Sequence, residues 1–174
     1  MHGIVFILGL TLLGGCWEKR VKHLSDVEFD HYYALRPFMD EDMRKTYLQL
    51  KTEDERNALL KEQGLWDQFY KYDAEEREMI VLGKVEPGWT KDKVLMSWGA
   101  PYDKRKVTGR QATRSEILVY RFEGHDTDED GKVDSHLVWE QNSATEYKAQ
   151  TLFRKEVLLD DDRVQEIVLK DGWS

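Results

Sequence analysis

The chain of 174 residues contains a single cysteine, so a disulfide framework within it is excluded. Prolines number three, too few for a polyproline or linker-dominated architecture. A basic surplus is also missing. Asp and Glu total 34 against 26 Lys and Arg, a formal net charge of −8, and no basic stripe interrupts it, so nucleic acid is not the expected partner. Long apolar runs are scarce too. The longest is Ile4–Leu13, ten residues where a spanning helix needs roughly 20. Against these absences stand 40% hydrophobic and 11% aromatic residues, enough to exclude a wholly disordered chain and to build one core of ordinary size.

Residues 1–16 carry no Lys, Arg, Asp or Glu, and the apolar run reads as the hydrophobic region of an export signal. Only His2 and the amino terminus stand where basic residues usually precede such a region. The run ends in Leu13-Gly14-Gly15-Cys16. That tetrapeptide resembles the bacterial lipobox, which implies cleavage after Gly15, thioether lipidation of Cys16 and acylation of the new amino group. Two or more acyl chains hold a protein stably, at about 0.8 kcal/mol per buried CH₂. Trp17 and Glu18 follow in place of the Asp that marks inner-membrane retention in enteric bacteria, so the resemblance implies the periplasmic face of the outer membrane. The expected organisation is a signal peptide over 1–15, a lipidated polar tether over 16–37, a helical segment over 38–84 and an α+β domain over 85–174.

Helix signals crowd the first half of the mature chain. Asp40 is placed to cap a helix with Met43, Tyr47 and Leu50 on one face. Thr52–Glu55 is a capping box ahead of Leu59 and Leu60, with Gly64 as the stop. Leu65, Trp66, Phe69 and Tyr70 predict a short aromatic helix. Asp73–Glu76 opens another, carrying Met79, Ile80 and Leu82 and ending at Gly83. After Pro87-Gly88, Thr90 is expected to cap a helix with Val94, Leu95 and Trp98 inward. Trp89 and Val94 occupy hydrophobic-staple positions, and Gly99 and Pro101 end the helix.

Beyond Pro101 the period changes to that of strands: 102–108, a central 116–123 with apolar residues on both faces, one beginning at 137, then 151–159 and 163–170. The predicted class is α+β, an N-terminal helical segment followed by a helix packed on a small antiparallel meander.

Residues 85–170 resemble the SmpA/OmlA-type domain of the small lipoprotein subunit of the β-barrel assembly machinery. The resemblance rests on Pro87–Leu95 (PGWTKDKVL), Trp98-Gly99-Ala100-Pro101, Leu118–Phe122 (LVYRF) and Asp162–Ile167 (DRVQEI). It implies helices packed on a three-stranded antiparallel sheet and a non-enzymatic accessory or scaffolding role beside an envelope protein partner, the outer-membrane assembly machinery among them. Trp98 stands where that family has a small or aliphatic residue. Residues 43–70 resemble the GWxTD domain through Thr52–Arg56 (TEDER) and Leu65-Trp66, although the name-giving pentapeptide is missing.

Candidate chemistry is concentrated in one loop. Asp126, Asp128, Asp130, Gly131 and Asp134 match positions 1, 3, 5, 6 and 9 of a Ca²⁺ loop, with Val133 at position 8; position 12 is Leu137, so the bidentate Glu is missing. Two readings stay open: a calcium-binding interaction module, or a solvated hairpin tip turning at Asp130-Gly131. His125 and His136 flank the loop and are candidates for a transition-metal pair across two strands. Trp66, Phe69 and Tyr70, with Trp89, are either core or an exposed docking surface. Catalysis is not expected. Ser97, Ser115, Ser135 and Ser143 sit in no nucleophile elbow, Glu75, Glu76 and Asp160–Asp162 read as capping and turn residues, and no phosphate-cradling glycine loop is present. An enzyme or an enzyme inhibitor on the same fold is the remaining alternative.

Overall fold

The structure is a computed structural model and describes residues 21, 23–125, 133, 135–138 and 151–173. Among the described residues six α-helices precede an antiparallel sheet, which makes the class α+β. Helix α1 spans Asp26–Leu35 and leads through a 3₁₀ turn at Arg36–Phe38 into α2 (Glu41–Gln49), α3 (Glu53–Glu62), α4 (Leu65–Tyr70), α5 (Ala74–Val81) and α6 (Lys91–Trp98). Among the described residues no helix is long and apolar enough to cross a membrane.

The starts of these helices follow from side chains that satisfy otherwise orphaned backbone N–H groups. Asp40 Oδ1 accepts from the Met43 N–H at 2.7 Å. Thr52 with Glu55, and Asp73 with Glu76, form the two expected capping boxes. A third box, Ser25 with Glu28, opens α1. This helix stands inside the stretch 16–37 expected to be a tether and corrects that expectation for Asp26–Leu35. Val21 and Leu24 already pack on the helical core, and Tyr32, Ala34 and Leu35 are buried in it. Val21 and the helix Asp26–Leu35 therefore belong to the folded body.

Thr90 occupies the N-cap position of α6, but its hydroxyl accepts no backbone N–H. It lies 3.3 Å from the Tyr72 hydroxyl instead, and the Lys91 N–H donates to the Asp162 carbonyl at 2.8 Å. The start of α6 is thus fixed by the far end of the sheet. Its Ser97 hydroxyl donates to the Ile80 carbonyl and its Trp98 indole N–H to the Gly83 carbonyl, so the same helix is also tied to α5.

Among the described residues five strands follow: β1 (Asp103–Val107), β2 (Ser115–His125), β3 (Ser135–Val138), β4 (Thr151–Asp160) and β5 (Arg163–Asp171). β2 is central, as its two-sided apolar pattern predicts. One departure from a plain meander appears. β1 pairs with Ser115–Val119 and β3 with Phe122–His125, so both lie along one edge of β2, while β4 takes the other edge and β5 pairs beyond it. The β4–β5 turn is Asp161-Asp162, both with positive φ, as in the tight turns that match strand twist.

Two cores result, and α6 is the wall between them. Met96 points into the helical core with Leu35, Tyr47, Leu60, Phe69 and Ile80. Val94 and Trp98 point into the sheet core with Leu118, Tyr120, Phe122, Val157 and Leu159. Trp89 packs against both.

Candidate functional site

A cleft of about 290 Å³ opens where α1, α4 and α5 meet. Helical spacing places Val27, Asp30 and His31 of α1 on one face, at i, i+3 and i+4. Phe69 and Tyr70 of α4 form a second wall; Arg77, Glu78, Val81 and Leu82 of α5 and its C-cap form the third. The rim is apolar and open to solvent: Val27 is 52% exposed, Leu82 60% and Tyr70 37%.

His31 lies at the floor of the cleft, 2% exposed. Its ring is enclosed by Trp66, Phe69 and Tyr70, with centroids 5.2, 5.6 and 5.5 Å away. Nε2 is 2.7 Å from the Tyr70 hydroxyl, whereas Nδ1 is buried with no hydrogen-bond partner among the described residues. Burial pushes the imidazole pKa down; Glu53 and Glu28 work against that shift and Arg77 adds to it. Burial, with Asp26 nearby, pushes the Asp30 carboxyl up, and burial likewise raises the Tyr70 phenol. These groups are all biased toward their uncharged forms. The Arg77 guanidinium lies 4.8 Å over the Tyr70 ring and donates to the Tyr72 carbonyl. The cleft can therefore receive an apolar or aromatic group, with a hydrogen-bonding imidazole beneath it.

Beside this floor sits a buried charge pair. Arg56 donates to the Glu28 carboxylate, and its other nitrogens donate to the carbonyls of Tyr47 at 3.3 Å and Leu50 at 2.5 Å. The Tyr47 hydroxyl donates to the Glu28 carbonyl at 3.1 Å. Burial would raise the Glu28 carboxyl, but hydrogen bonds from Ser25 and Arg56, and the Arg56 charge, outweigh it and hold the pKa below the usual value. The pair locks α1 against α2 and α3 and fixes where His31 stands.

The aromatic residues singled out from sequence divide between the two readings offered for them. Phe69 is core, Trp66 is partly buried and stacks on Tyr70 at 4.3 Å, and Trp89 is wedged between the two cores; Tyr70 alone reaches the cleft rim. Asp160 is the last residue of β4, and Asp161 and Asp162 form the turn after it. Asp160 binds Arg110 through both carboxylate oxygens and accepts from the Ser115 hydroxyl at 2.6 Å, Asp161 accepts from the Arg114 N–H, and Asp162 pairs with Arg114. Cys16 and the candidate calcium ligands Asp126, Asp128, Asp130 and Asp134 lie outside the described residues.

The histidine pair is a correction. His125 is opposite Ser135 and His136 opposite Gly124, so strand pleating sends the two imidazoles to opposite faces. Among the described residues no three His, Cys, Asp or Glu side chains converge as a metal site would require.

Sequence reasoning missed His31, Glu28 and Arg56. The signal for the element that carries two of them was present, since Ser25-Asp26-Val27-Glu28 has the spacing of a capping box. No protein-family model, curated protein or solved structure matches this chain.

Proposed function

We propose that the chain is a lipid-anchored protein of a bacterial envelope, held at the periplasmic face of the outer membrane, and that it acts by contact with a protein partner rather than by catalysis. One observation carries this reading: an uncharged leader whose ten-residue apolar run ends in Leu13-Gly14-Gly15-Cys16, with Cys16 the sole cysteine. A thioether at Cys16 and an acylated amino group would confine the folded body to a surface. Confinement raises the effective concentration toward a membrane-bound partner, so a modest interface suffices. The SmpA/OmlA resemblance adds the role, that of an accessory or scaffold subunit in envelope protein assembly. The succession of α6 and antiparallel strands is in keeping with it.

Two measurements test the reading. Intact-mass analysis of the protein purified from membranes should give a chain beginning at Cys16 and carrying acyl groups; an unmodified full-length chain removes the anchor. Crosslinked pull-down should recover an envelope protein with the wild type and lose it with Cys16→Ala. Recovery of none in either case removes the scaffold role.

A further inference from the structure

We infer that the rim of the α1–α4–α5 cleft, formed by Val27, Tyr70 and Leu82, rests on the surface of the bilayer that holds Cys16. This rests on the anchoring proposed above and goes beyond it by giving the folded body an orientation. Reach carries the argument. A tether running from Cys16 to Pro37 would span about 75 Å at roughly 3.6 Å per residue and leave the body free to tumble. Val21 already packs on the helical core, so only five chain steps separate it from Cys16, a reach of about 18 Å at most. Val27 follows on the first turn of α1 and forms one lip of the cleft. Among the exposed apolar side chains, Val27 and Phe29 of α1 therefore lie nearest the anchor along the chain, while Tyr102, Leu152 and Leu169 belong to the sheet half.

The chemistry of the rim suits an interface. Val27 and Leu82 are more than half exposed, which costs free energy in water and gains it in the acyl boundary. Tyr70 is 37% exposed and its hydroxyl is 2.7 Å from His31 Nε2, so its ring meets lipid without an unpaired polar group. Arg77 and Glu78 also line the cleft; the Arg77 guanidinium is held by the Tyr70 ring and the Tyr72 carbonyl, and the exposed Glu78 keeps its charge in water. With a net charge of −8 the chain gains nothing from an anionic surface at long range, so the contact is one of apolar insertion.

The test uses acylation of Cys16 to leave one reactive thiol. Leu82→Cys in the full chain is exported, purified from membranes, labelled with a thiol-reactive fluorophore and reconstituted into phosphatidylcholine vesicles with or without brominated acyl chains. Leu169→Cys, at a site on β5 that is 62% exposed, serves as the second label position. At Leu82 the label should lose about half or more of its emission to brominated lipid, as a group some 5–10 Å into the interface does, and at Leu169 it should lose little. Adding Val27→Asp should weaken the quenching at Leu82 while the protein stays vesicle-bound. Acylated, bound protein with equal or negligible quenching at both sites overturns the inference and leaves the anchor standing, as does photocrosslinking from position 82 to a protein in place of lipid. Failure of the anchor reads differently: intact mass shows an unmodified Cys16, a second labelled thiol appears, and vesicles do not retain the chain, which overturns both.

Discussion

Glu28 and Arg56 are both nearly closed off from water, and each is tolerable there only because of the other. Replacing Arg56 with Met removes the guanidinium while keeping most of its volume, so Glu28 becomes a buried carboxylate without a counter-charge. The expected cost is about 3–5 kcal/mol in urea unfolding near neutrality. Glu28→Leu in the same chain should recover a large part of it, because the stranded charge is then gone. A second residue-scale prediction concerns pH. His31 has a folded pKa below the ordinary 6.5, so the unfolded chain takes up its proton first as pH falls. Its contribution to stability is complete above 6.5 and is lost as pH drops from there through the depressed folded value. Urea midpoints measured on either side of 6.5 should show that decline, and His31→Phe should remove it. Glu28 acts in a separate, lower window: its folded pKa lies below the ordinary 4.5, so stability is complete above 4.5 and lost as pH falls through the folded value. The His31 decline sets in at 6.5, where Glu28 still contributes in full, because the Glu28 decline begins only at 4.5.

At the scale of elements, α1 decides how far the folded body extends toward the chain's beginning. Ser25→Ala removes the hydroxyl that accepts the Glu28 N–H, and should cost about 1 kcal/mol. Hydrogen exchange should show that loss first in the amides of α1; uniform loss across the helices would mean that the cap has no local role. The history of α1 also shows what sequence can reveal. Thr52, Asp40 and Asp73 are legible as caps because a cap and the backbone N–H that donates to it lie three residues apart. Gly64 and Gly83, both at positive φ, are legible as stops for the same local reason. The strand β2 is legible because Leu118, Val119, Tyr120 and Phe122 leave neither face polar. α1 is harder. Its buried face mixes Tyr32, Ala34 and Leu35 with Glu28 and His31, so hydropathy alone reads it as a polar stretch with a few aromatics. The residues that make burial of Glu28 and His31 possible, Arg56 and Tyr70, lie 28 and 39 positions away, beyond any periodic signal. The cleft is illegible in the same way: its three walls come from three helices, and of its lining only Phe69 and Tyr70 stand out in the sequence as candidate interaction residues. Passage of the chain from β3 to the opposite edge of β2 likewise has no local signature.

Taken whole, the molecule depends on α6 more than on any other helix. Met96 faces one core, Val94 and Trp98 the other, and Lys91 and Thr90 tie its start to the β4–β5 turn. Met96→Ala should cost about 2–5 kcal/mol, a cavity in the helical core. Because the wall is shared, helical circular dichroism and the fluorescence of Trp98 in the sheet core should shift by the same amount and fall on one curve. Two separate curves would mean that the halves unfold independently.

That shared wall sets a problem of timing during synthesis. The helical half closes over contacts made between near neighbours and can assemble as soon as α6 emerges. The other side of α6, with Trp98 at its centre, waits for β4 and β5, which are made after the other described elements. Until then a nascent chain displays a greasy, tryptophan-bearing face with nothing to lay over it, the kind of surface that chaperones hold and that sticks to its own copies. Safe passage of this polypeptide therefore turns on how quickly its closing hairpin arrives.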